Sequence, residues 1–267
     1  MAARSPGGSG AAAPAGPDSL LGRWDDQQAA YIADREGRFR AIVDVLRLTL
    51  GDAPLVLDLA CGPGSLSARV LDALPGARVL GLDHDPLLLD VARRSLAGRR
   101  EQRLTLLDAD LLDGGWPAAV LDALGGAAPD AIVSTTALHW LRPDQLVRVY
   151  AQAASLLRRG GVLLNGDHFR FDARSPTLRG VAAAHDEETQ RAAHAAGAPT
   201  WDAWWDEARS GPGGAALAAE RERRFAGRDA PPTTAVDFHL AALAQAGFAE
   251  TGTVWQLLDD YVVFGRR

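Results

Sequence analysis

Apolar residues along the chain follow two patterns, short continuous runs and longer stretches at helical spacing. The short runs have the length and β-branched content of strands buried on both faces of a parallel sheet. They are residues 55–59, 77–82, 104–107, 130–136, a strand beginning at 162–164, 248–258 and 261–265. Helical spacing is found between them, at residues 20–50, 65–74, 87–96, 146–157 and 234–246. Strands that alternate with helices predict an α/β fold.

Two segments do not fit this alternation. Residues 1–18 are almost entirely Ala, Gly, Pro and Ser, which predicts a disordered tail. Residues 171–232 are rich in Ala, Arg and Glu and carry no strand pattern, which predicts a helical insertion. We therefore expect one domain over residues 19–267, with the insertion forming a lid over a substrate site.

The stretch Leu-Val-Leu-Asp-Leu-Ala-Cys-Gly-Pro-Gly at residues 55–64 is the most informative part of the chain. Asp58 lies in a run predicted to be buried, where a carboxylate costs desolvation energy unless it is paired, so a positively charged ligand group is a natural partner. Gly62 and Gly64 let backbone approach a ligand closely, and a helix follows. Strand, glycine turn and helix together predict a nucleotide-type cradle.

The spacing of small residues separates two kinds of cradle. A dinucleotide fingerprint needs glycine at Ala60, Gly62 and Ser65, so that pattern fails at two positions. The acidic-x-Gly-x-Gly-x-Gly form that remains, at Asp58, Ala60, Gly62 and Gly64, resembles the first motif of class I S-adenosylmethionine-dependent methyltransferases, with alanine at the first glycine position. The resemblance implies a Rossmann-like, doubly wound, seven-stranded sheet of order 3-2-1-4-5-7-6 that closes with a reversed hairpin.

Acidic residues after the second and third strands complete the predicted cofactor site. Asp83 ends the second strand, where a carboxylate reaches both ribose hydroxyls, and His84 beside it lines the ribose region. The resemblance implies that Asp110 accepts from the adenine amine while the backbone amide of Leu111 meets a ring nitrogen. Asp108 is the alternative for the adenine amine.

Other residues are assigned to the cofactor through the same resemblance. Ala60, Cys61 and Gly62 would contribute backbone, and Cys61 is interpreted as a packing residue rather than a nucleophile. Arg35, on a helix ahead of the first strand, is a candidate partner for the methionine carboxylate, or else part of a solvated helix face. Thr135 lies at the carboxyl end of the fourth strand, near the transferred methyl group.

Candidate catalytic residues follow the fourth and fifth strands. His139 lies in Ala-Leu-His-Trp-Leu, a run similar to that of small-molecule methyltransferases, and is either a general base or a structural cap on the cofactor pocket. His168 with Asp167 is a second base candidate, or else a solvated loop pair. Methyl transfer is a direct displacement that needs a base only if the acceptor must lose a proton.

Three tryptophans at helical spacing, Trp201, Trp204 and Trp205, lie in the insertion. They favour two interpretations equally, packing within the lid and an aromatic wall for an apolar or planar substrate.

Composition limits the function classes. The chain of 267 residues has a formal net charge of −6. It contains arginine but no lysine, and Cys61 is its single cysteine. The negative charge disfavours extended contact with nucleic acid, and one cysteine excludes intramolecular disulfides. No metal site is predicted. The chain lacks a membrane-length apolar run and a signal-peptide pattern, so a cytoplasmic location is expected. The expected oligomeric state is a monomer or a homodimer.

The predicted activity is methyl transfer from S-adenosylmethionine to O, N or C of a small molecule. Two alternatives stay open: an enzyme that carboxylates the cofactor or uses it to guide cyclisation, and a nucleic-acid methyltransferase. The Asn-Pro-Pro-Tyr sequence of amino-methylating nucleic-acid enzymes is absent.

Overall fold

A computed structural model describes residues 19–98, 102–228 and 234–267. Within these residues, seven strands form one sheet of order β3-β2-β1-β4-β5-β7-β6. The strands are β1 Leu55–Leu59, β2 Arg78–Asp83, β3 Leu104–Asp108, β4 Ala131–Thr135, β5 Val162–His168, β6 Glu250–Leu257 and β7 Asp260–Arg266. The first five pair in parallel, and β7 is antiparallel to β5 and β6. The predicted fold class, strand order and closing hairpin are confirmed.

Helices cover both faces of the sheet. They are α1 Leu20–Tyr31, α2 Arg35–Leu50, α3 Ser65–Ala73, α4 Pro86–Ser95, α5 Trp116–Ala123, α6 Pro143–Leu156, α7 Pro176–Ala195, α8 Trp201–Ser210, α9 Gly214–Phe225 and α10 Val236–Gln245. One face packs α5, α6 and α10 around Tyr150 and Trp116, and the other packs α2 and α3 around Phe39 and Leu66. This double covering explains why β1, β2 and β4 read as continuous apolar runs rather than alternating ones.

The insertion contributes α7, α8 and α9, so its helical character agrees with the sequence interpretation. Trp204 and Trp205 of α8 pack with Leu87, Leu88 and Val91 of α4 in a separate apolar cluster. The insertion therefore rests on the helix that follows β2. The predicted disordered tail and residues 229–232 of the insertion lie outside the described residues.

Local sequence determines where the site-bearing helices begin. Asp85 caps α4 by accepting from the backbone N–H groups of Leu87 and Leu88, at 3.0 and 3.2 Å, and Pro86 occupies the first turn. The tight link between β2 and α4 places Asp83 at the carboxyl edge of the sheet, where open α/β sheets bind ligands. In the described part of the chain, no helix combines the length and apolarity needed to cross a bilayer.

Candidate active site

The loop between β1 and α3 is built from left-handed backbone. Ala60, Gly62 and Gly64 have φ values of 51°, 55° and 89°. At Gly62 a Cβ atom would find its nearest neighbour, Leu88 Cδ1, 3.9 Å away, which is an ordinary packing distance. The N–H groups of Cys61 and Gly64 donate to backbone carbonyls and that of Gly62 donates to Asp83, so the loop offers a ligand close approach to its backbone at the glycines.

Gly64 carries a packing constraint as well as a conformational one. A Cβ there would lie 2.5 Å from Leu96 Cδ1, whereas at Gly125, with φ of 62°, it would meet nothing within 4 Å. We expect Gly64→Ala to lower the free energy of unfolding by about 1–2 kcal/mol more than Gly125→Ala, because both replacements strain the backbone but only the first overpacks. Urea unfolding of the two variants measures this difference. Equal losses would mean that Leu96 moves aside without cost.

Asp58 is a buried carboxylate with one unpaired oxygen. Its side chain is 1% exposed, and its Oδ2 accepts from Ser67 Oγ at 2.6 Å. Among the described residues its Oδ1 has no hydrogen-bond partner. Burial raises the pKa of Asp58 to about 7, so the charged form is costly without a cationic neighbour. An ammonium group would supply that neighbour.

Asp83 joins the cradle loop to the end of β2. Its Oδ2 accepts from the Gly62 N–H at 2.7 Å and its Oδ1 from the Asp85 N–H at 2.8 Å. Burial raises its pKa to about 6. Because each carboxylate oxygen can accept more than one hydrogen bond, both retain capacity for hydroxyl donors such as those of ribose. Asp83 therefore lies where the sequence predicts a ribose-binding carboxylate.

The carboxylates after β3 are occupied by arginines of the insertion. Asp110 Oδ1 accepts from the Leu112 N–H at 2.9 Å, while its Oδ2 lies 2.5 Å from Arg228 Nη2. Arg224 Nη1 donates to both oxygens of Asp108, at 2.7 and 2.9 Å.

Two other predicted residues lie beside these carboxylates. His84 Nε2 is 3.7 Å from Asp110 Oδ2, and Leu111 is half-buried against the α5–α6 core. The structure thus brings His84, Asp108 and Asp110 together and adds two guanidinium groups that the sequence interpretation did not include.

Arg35 does not face an open site. Its guanidinium is buried, with Nη1 donating to Asp25 Oδ1 at 2.7 Å, and it lies over the ring of Phe39. Asp25 also accepts from Ser65 Oγ at 2.6 Å, so Arg35 helps to hold α1 against the first turn of α3. Neither alternative for Arg35, carboxylate binding or a solvated face, describes this ion pair.

Arg38, one turn further along α2, has the unpaired guanidinium. It is 0% exposed, and its Nη2 donates to Thr136 Oγ1 at 2.8 Å. Among the described residues, its Nε and Nη1 have no hydrogen-bond partner. Gly166 makes room for its stem, since a Cβ there would lie 3.0 Å from Arg38 Cδ. A buried guanidinium with unpaired N–H groups is costly, and a carboxylate ligand would satisfy it.

His139 and Asp167 form a dyad at the ends of β4 and β5. The Nδ1–H of His139 donates to Asp167 Oδ1 at 2.7 Å, and its backbone N–H donates to Oδ2 at 3.1 Å. This bond makes Nε2 the proton-accepting nitrogen of the neutral ring, whose side chain is 21% exposed. Thr135 lies beside Thr136, with the two Oγ1 atoms 3.3 Å apart.

The dyad shifts the pKa of both partners. Burial alone would lower the pKa of His139, but the Asp167 carboxylate outweighs it and holds the pKa above the usual 6.5. Burial would likewise raise the pKa of Asp167, but His139, His168 and Arg38 hold it well below its usual range. Asp167 is therefore an anion that orients the imidazole and raises its pKa.

The structure corrects the predicted Asp167–His168 pair. Asp167 Oδ1 accepts the backbone N–H of His168 at 2.9 Å, but the side chain of His168 pairs through Nδ1 with Asp260. The imidazole that Asp167 holds is that of His139. His168 is 6.0 Å from His139 between ring centroids, so it is a neighbour of the dyad, held against β7.

The tryptophans of the insertion differ in exposure. Trp204 is 0% exposed and its Nε1 donates to the Leu20 carbonyl at 2.9 Å. Trp205 is nearly buried under Arg221, and Trp201 is 40% exposed. Within the described residues their ring contacts are with one another and with Trp24 of α1. Packing explains Trp204, and the aromatic-wall interpretation stays a prediction that suits Trp201.

Cys61 is 8% exposed, and burial raises the pKa of its thiol well above the usual value. Its sulfur lies 3.0 Å from the position of a Cβ on Gly81. The thiol therefore packs against β2 in a form that is a poor nucleophile, in agreement with the interpretation from sequence.

In the sequence Arg38 has the same two interpretations as Arg35, a residue at the cofactor or a solvated helix face. Sequence reasoning missed its full burial, its partner Thr136, and the arginines of the insertion. One signal was available. Arg38, Ile42 and Leu46 recur every fourth residue on one face of α2, so Arg38 continues an apolar stripe. A charged residue in such a stripe indicates burial with a specific partner.

Comparison with known proteins agrees with the fold. Residues 57–163 match the family described as "Methyltransferase domain". The trans-aconitate 2-methyltransferase of Azoarcus sp. (strain BH72) is 37% identical over 142 residues, 52% of this chain and 49% of that enzyme. The ribosomal RNA small subunit methyltransferase H of Mycobacterium tuberculosis (strain ATCC 25177 / H37Ra) is 39% identical over 110 residues, 39% of this chain and 26% of that enzyme.

A solved structure gives the same result for the fold. The magnesium protoporphyrin IX methyltransferase of Synechocystis PCC 6803, with bound SAH, superposes with a TM-score of 0.54 at 17% identity, covering 91% of this chain and 86% of that chain. The chain spans about half the length of the curated trans-aconitate relatives it matches. The matched methyltransferase domain, the strand order and the glycine loop after β1 together agree with the resemblance to class I S-adenosylmethionine-dependent methyltransferases.

Proposed function

We propose that this protein transfers a methyl group from S-adenosylmethionine to a small-molecule acceptor. The observation that carries the proposal is the 2.7 Å bond from the Gly62 N–H to Asp83. It joins the glycine loop after β1 to the acid that ends β2, the two parts of the sheet edge expected to hold the cofactor.

The residues around the loop fit the methionine end of that cofactor, where one carbon carries both the ammonium and the carboxylate. The unpaired oxygen of Asp58 suits an ammonium group, and the unpaired nitrogens of Arg38 suit a carboxylate. Asp83 would hold the ribose hydroxyls, and Asp110 or Asp108 the adenine amine. When bound, S-adenosylmethionine supplies an electrophilic methyl carbon on a sulfonium.

The His139–Asp167 dyad supports an acceptor that loses a proton during transfer. His139 Nε2 takes the proton from an acceptor O–H or N–H as the oxygen or nitrogen forms its bond to the methyl carbon. The cofactor would supply the methyl carbon and would leave as the neutral thioether S-adenosylhomocysteine, which keeps the electron pair of the broken carbon–sulfur bond. Asp167 stabilises the imidazolium and so makes proton transfer to His139 easier. Thr135 and His168 would line this part of the site.

A small-molecule acceptor is favoured over nucleic acid because the net charge of −6 opposes extended contact with a phosphate backbone. We propose that the protein acts in the cytoplasm, as a monomer or homodimer. Mass spectrometry of products formed from methyl-labelled cofactor and a panel of carboxylic acids, phenols and amines tests the reaction. A product that carries more of the cofactor than its methyl group would favour the non-methylating alternative.

Cofactor binding is tested at Asp83. We expect Asp83→Ala to weaken binding of S-adenosylmethionine by about 1–3 kcal/mol, because two ribose hydroxyls lose their acceptor. Isothermal titration calorimetry measures this, with thermal unfolding as a check of the fold. Asp52→Ala, at an exposed aspartate ahead of β1 on the opposite edge of the sheet, is the matched control. Unchanged affinity in Asp83→Ala would exclude this edge as the cofactor site.

A further inference from the structure

One face of α9 and the turn after it bind the acidic edge of the predicted cofactor site. Arg221, Arg224 and Arg228 recur at spacings of three and four residues, so they lie on one side of the helix and its extension. Each pairs with a different carboxylate that follows β2 or β3. Arg221 Nε donates to Asp85 Oδ2 at 2.6 Å.

The other two pairs are at the adenine end. Arg224 binds both oxygens of Asp108, at 2.7 and 2.9 Å, and also donates to the His84 carbonyl at 3.0 Å. Arg228 lies 2.5 Å from Asp110 Oδ2. Asp110 Oδ1 accepts from Leu112, so each Asp110 oxygen already has a partner, and the one on Oδ2 is a bulky guanidinium.

An aromatic ring keeps this arginine row in place. The guanidinium carbons of Arg221 and Arg228 lie 5.3 and 5.0 Å from the centroid of the Phe225 ring. The same ring is 5.6 Å from His84. These two cation–π contacts tie both arginines to one aromatic ring. The row therefore acts as a unit, and it lies over His84, the residue predicted to line the ribose region.

We propose that α9 is a latch that closes the adenosine end of the cofactor site, and that cofactor entry requires Arg224 and Arg228 to release Asp108 and Asp110. The inference rests on the proposed function, which places the adenosine at this edge. The arginines and the adenine amine donate to the same carboxylates, so they compete. The latch is weak enough to open, because Asp108 is 41% exposed and an exposed ion pair contributes little free energy.

The test uses S-adenosylhomocysteine, whose net charge near zero limits the direct effect of salt on its encounter with the acidic site. In wild type, the association rate measured by stopped-flow tryptophan fluorescence should rise with added NaCl as the ion pairs are screened. In the double variant Arg224→Gln/Arg228→Gln we expect S-adenosylhomocysteine to associate about tenfold faster, at a rate independent of salt. Its dissociation rate should stay within twofold of wild type.

Two further variants keep the result interpretable. Arg223→Gln is the control, since Arg223 is 70% exposed and pairs with Glu220 of its own helix, so it should match wild type. Arg224→Lys retains the charge with fewer bonds to Asp108 and should give an intermediate rate. Circular dichroism and thermal unfolding establish that each variant is folded.

The outcomes separate the latch from the proposed function. An association rate for S-adenosylhomocysteine that is unchanged in the double variant would overturn the latch. A faster dissociation rate with weaker affinity would also overturn it, because the arginines would then hold the ligand rather than compete with it. S-adenosylhomocysteine that binds neither wild type nor the double variant would overturn the proposed function and the latch together. Binding by the double variant alone would support both.

Discussion

His139→Gln is expected to lower the turnover number for methyl transfer by about 100- to 10,000-fold while leaving the affinity for S-adenosylmethionine unchanged. Asp167 holds the Nδ1–H of His139 at 2.7 Å, which directs Nε2 to an incoming proton. Glutamine keeps a polar side chain of similar length but cannot accept a proton at neutral pH. Initial rates with the acceptor found by mass spectrometry, together with calorimetry of cofactor binding, measure the two quantities.

The pH dependence follows from the raised pKa of His139. Its neutral form is the base, so kcat/KM should rise with pH and level off above a midpoint higher than the usual 6.5. Asp167→Asn removes the carboxylate that raises this pKa. The rising limb should therefore move to lower pH while the plateau rate falls, because the imidazolium loses its stabilising anion. A merely structural role for Asp167 would lower the plateau without moving the midpoint.

His185→Gln, a half-buried histidine on α7, is the control for both measurements and should behave as wild type. Full activity in His139→Gln would mean that the acceptor needs no base and that alignment alone supplies the rate. His139 would then be a cap on the pocket, the other interpretation that its sequence context allows.

Arg38→Met is expected to weaken S-adenosylmethionine binding by about 10- to 100-fold, the loss of a charge-assisted pair in a buried site. Arg38 is 0% exposed and two of its nitrogens lack a partner among the described residues. Methionine has a similar apolar stem, so packing against Gly166 is largely kept. Calorimetry of cofactor binding gives the change, and Arg40→Met, at an exposed position two residues along α2, is the control.

Arg38 also stabilises the anions around it, and this effect needs its own measurement. Asp260 and Asp167 are the carboxylates whose charges act on it most strongly. A variant with a lower unfolding temperature but normal cofactor affinity would make Arg38 a structural countercharge. Normal cofactor affinity with a raised KM for the acceptor would place the bound carboxylate on the acceptor instead.

The parts of the site that were predicted from sequence depend on short-range structure. Asp58, Ala60, Gly62 and Gly64 lie on one strand–turn–helix unit, and their spacing alone indicates a left-handed loop at the start of a helix. Asp83 is placed by the apolar run that it ends, because strands of a parallel sheet finish at one edge. The strand order, by contrast, came from family resemblance, since apolar runs do not specify their neighbours.

Pairings between distant residues required the tertiary structure. Sequence placed Asp167 beside His168, but β5 alternates its side chains between faces, and the imidazole that reaches Asp167 comes from the turn after β4. Arg38 meets Thr136 across 98 residues because α2 packs over the ends of β4 and β5.

Local sequence thus determined the cradle, the strands and the acidic edge of this protein. Only packing decided which histidine pairs with Asp167, how deeply Arg38 is buried and which helix contacts the carboxylates of the predicted adenosine end. Arg224 and Asp108 are 116 residues apart, and no periodicity in α9 identifies its partner. The physical reason is that turns, caps and buried runs depend on neighbouring residues, whereas buried ion pairs depend on how separate elements pack against one another.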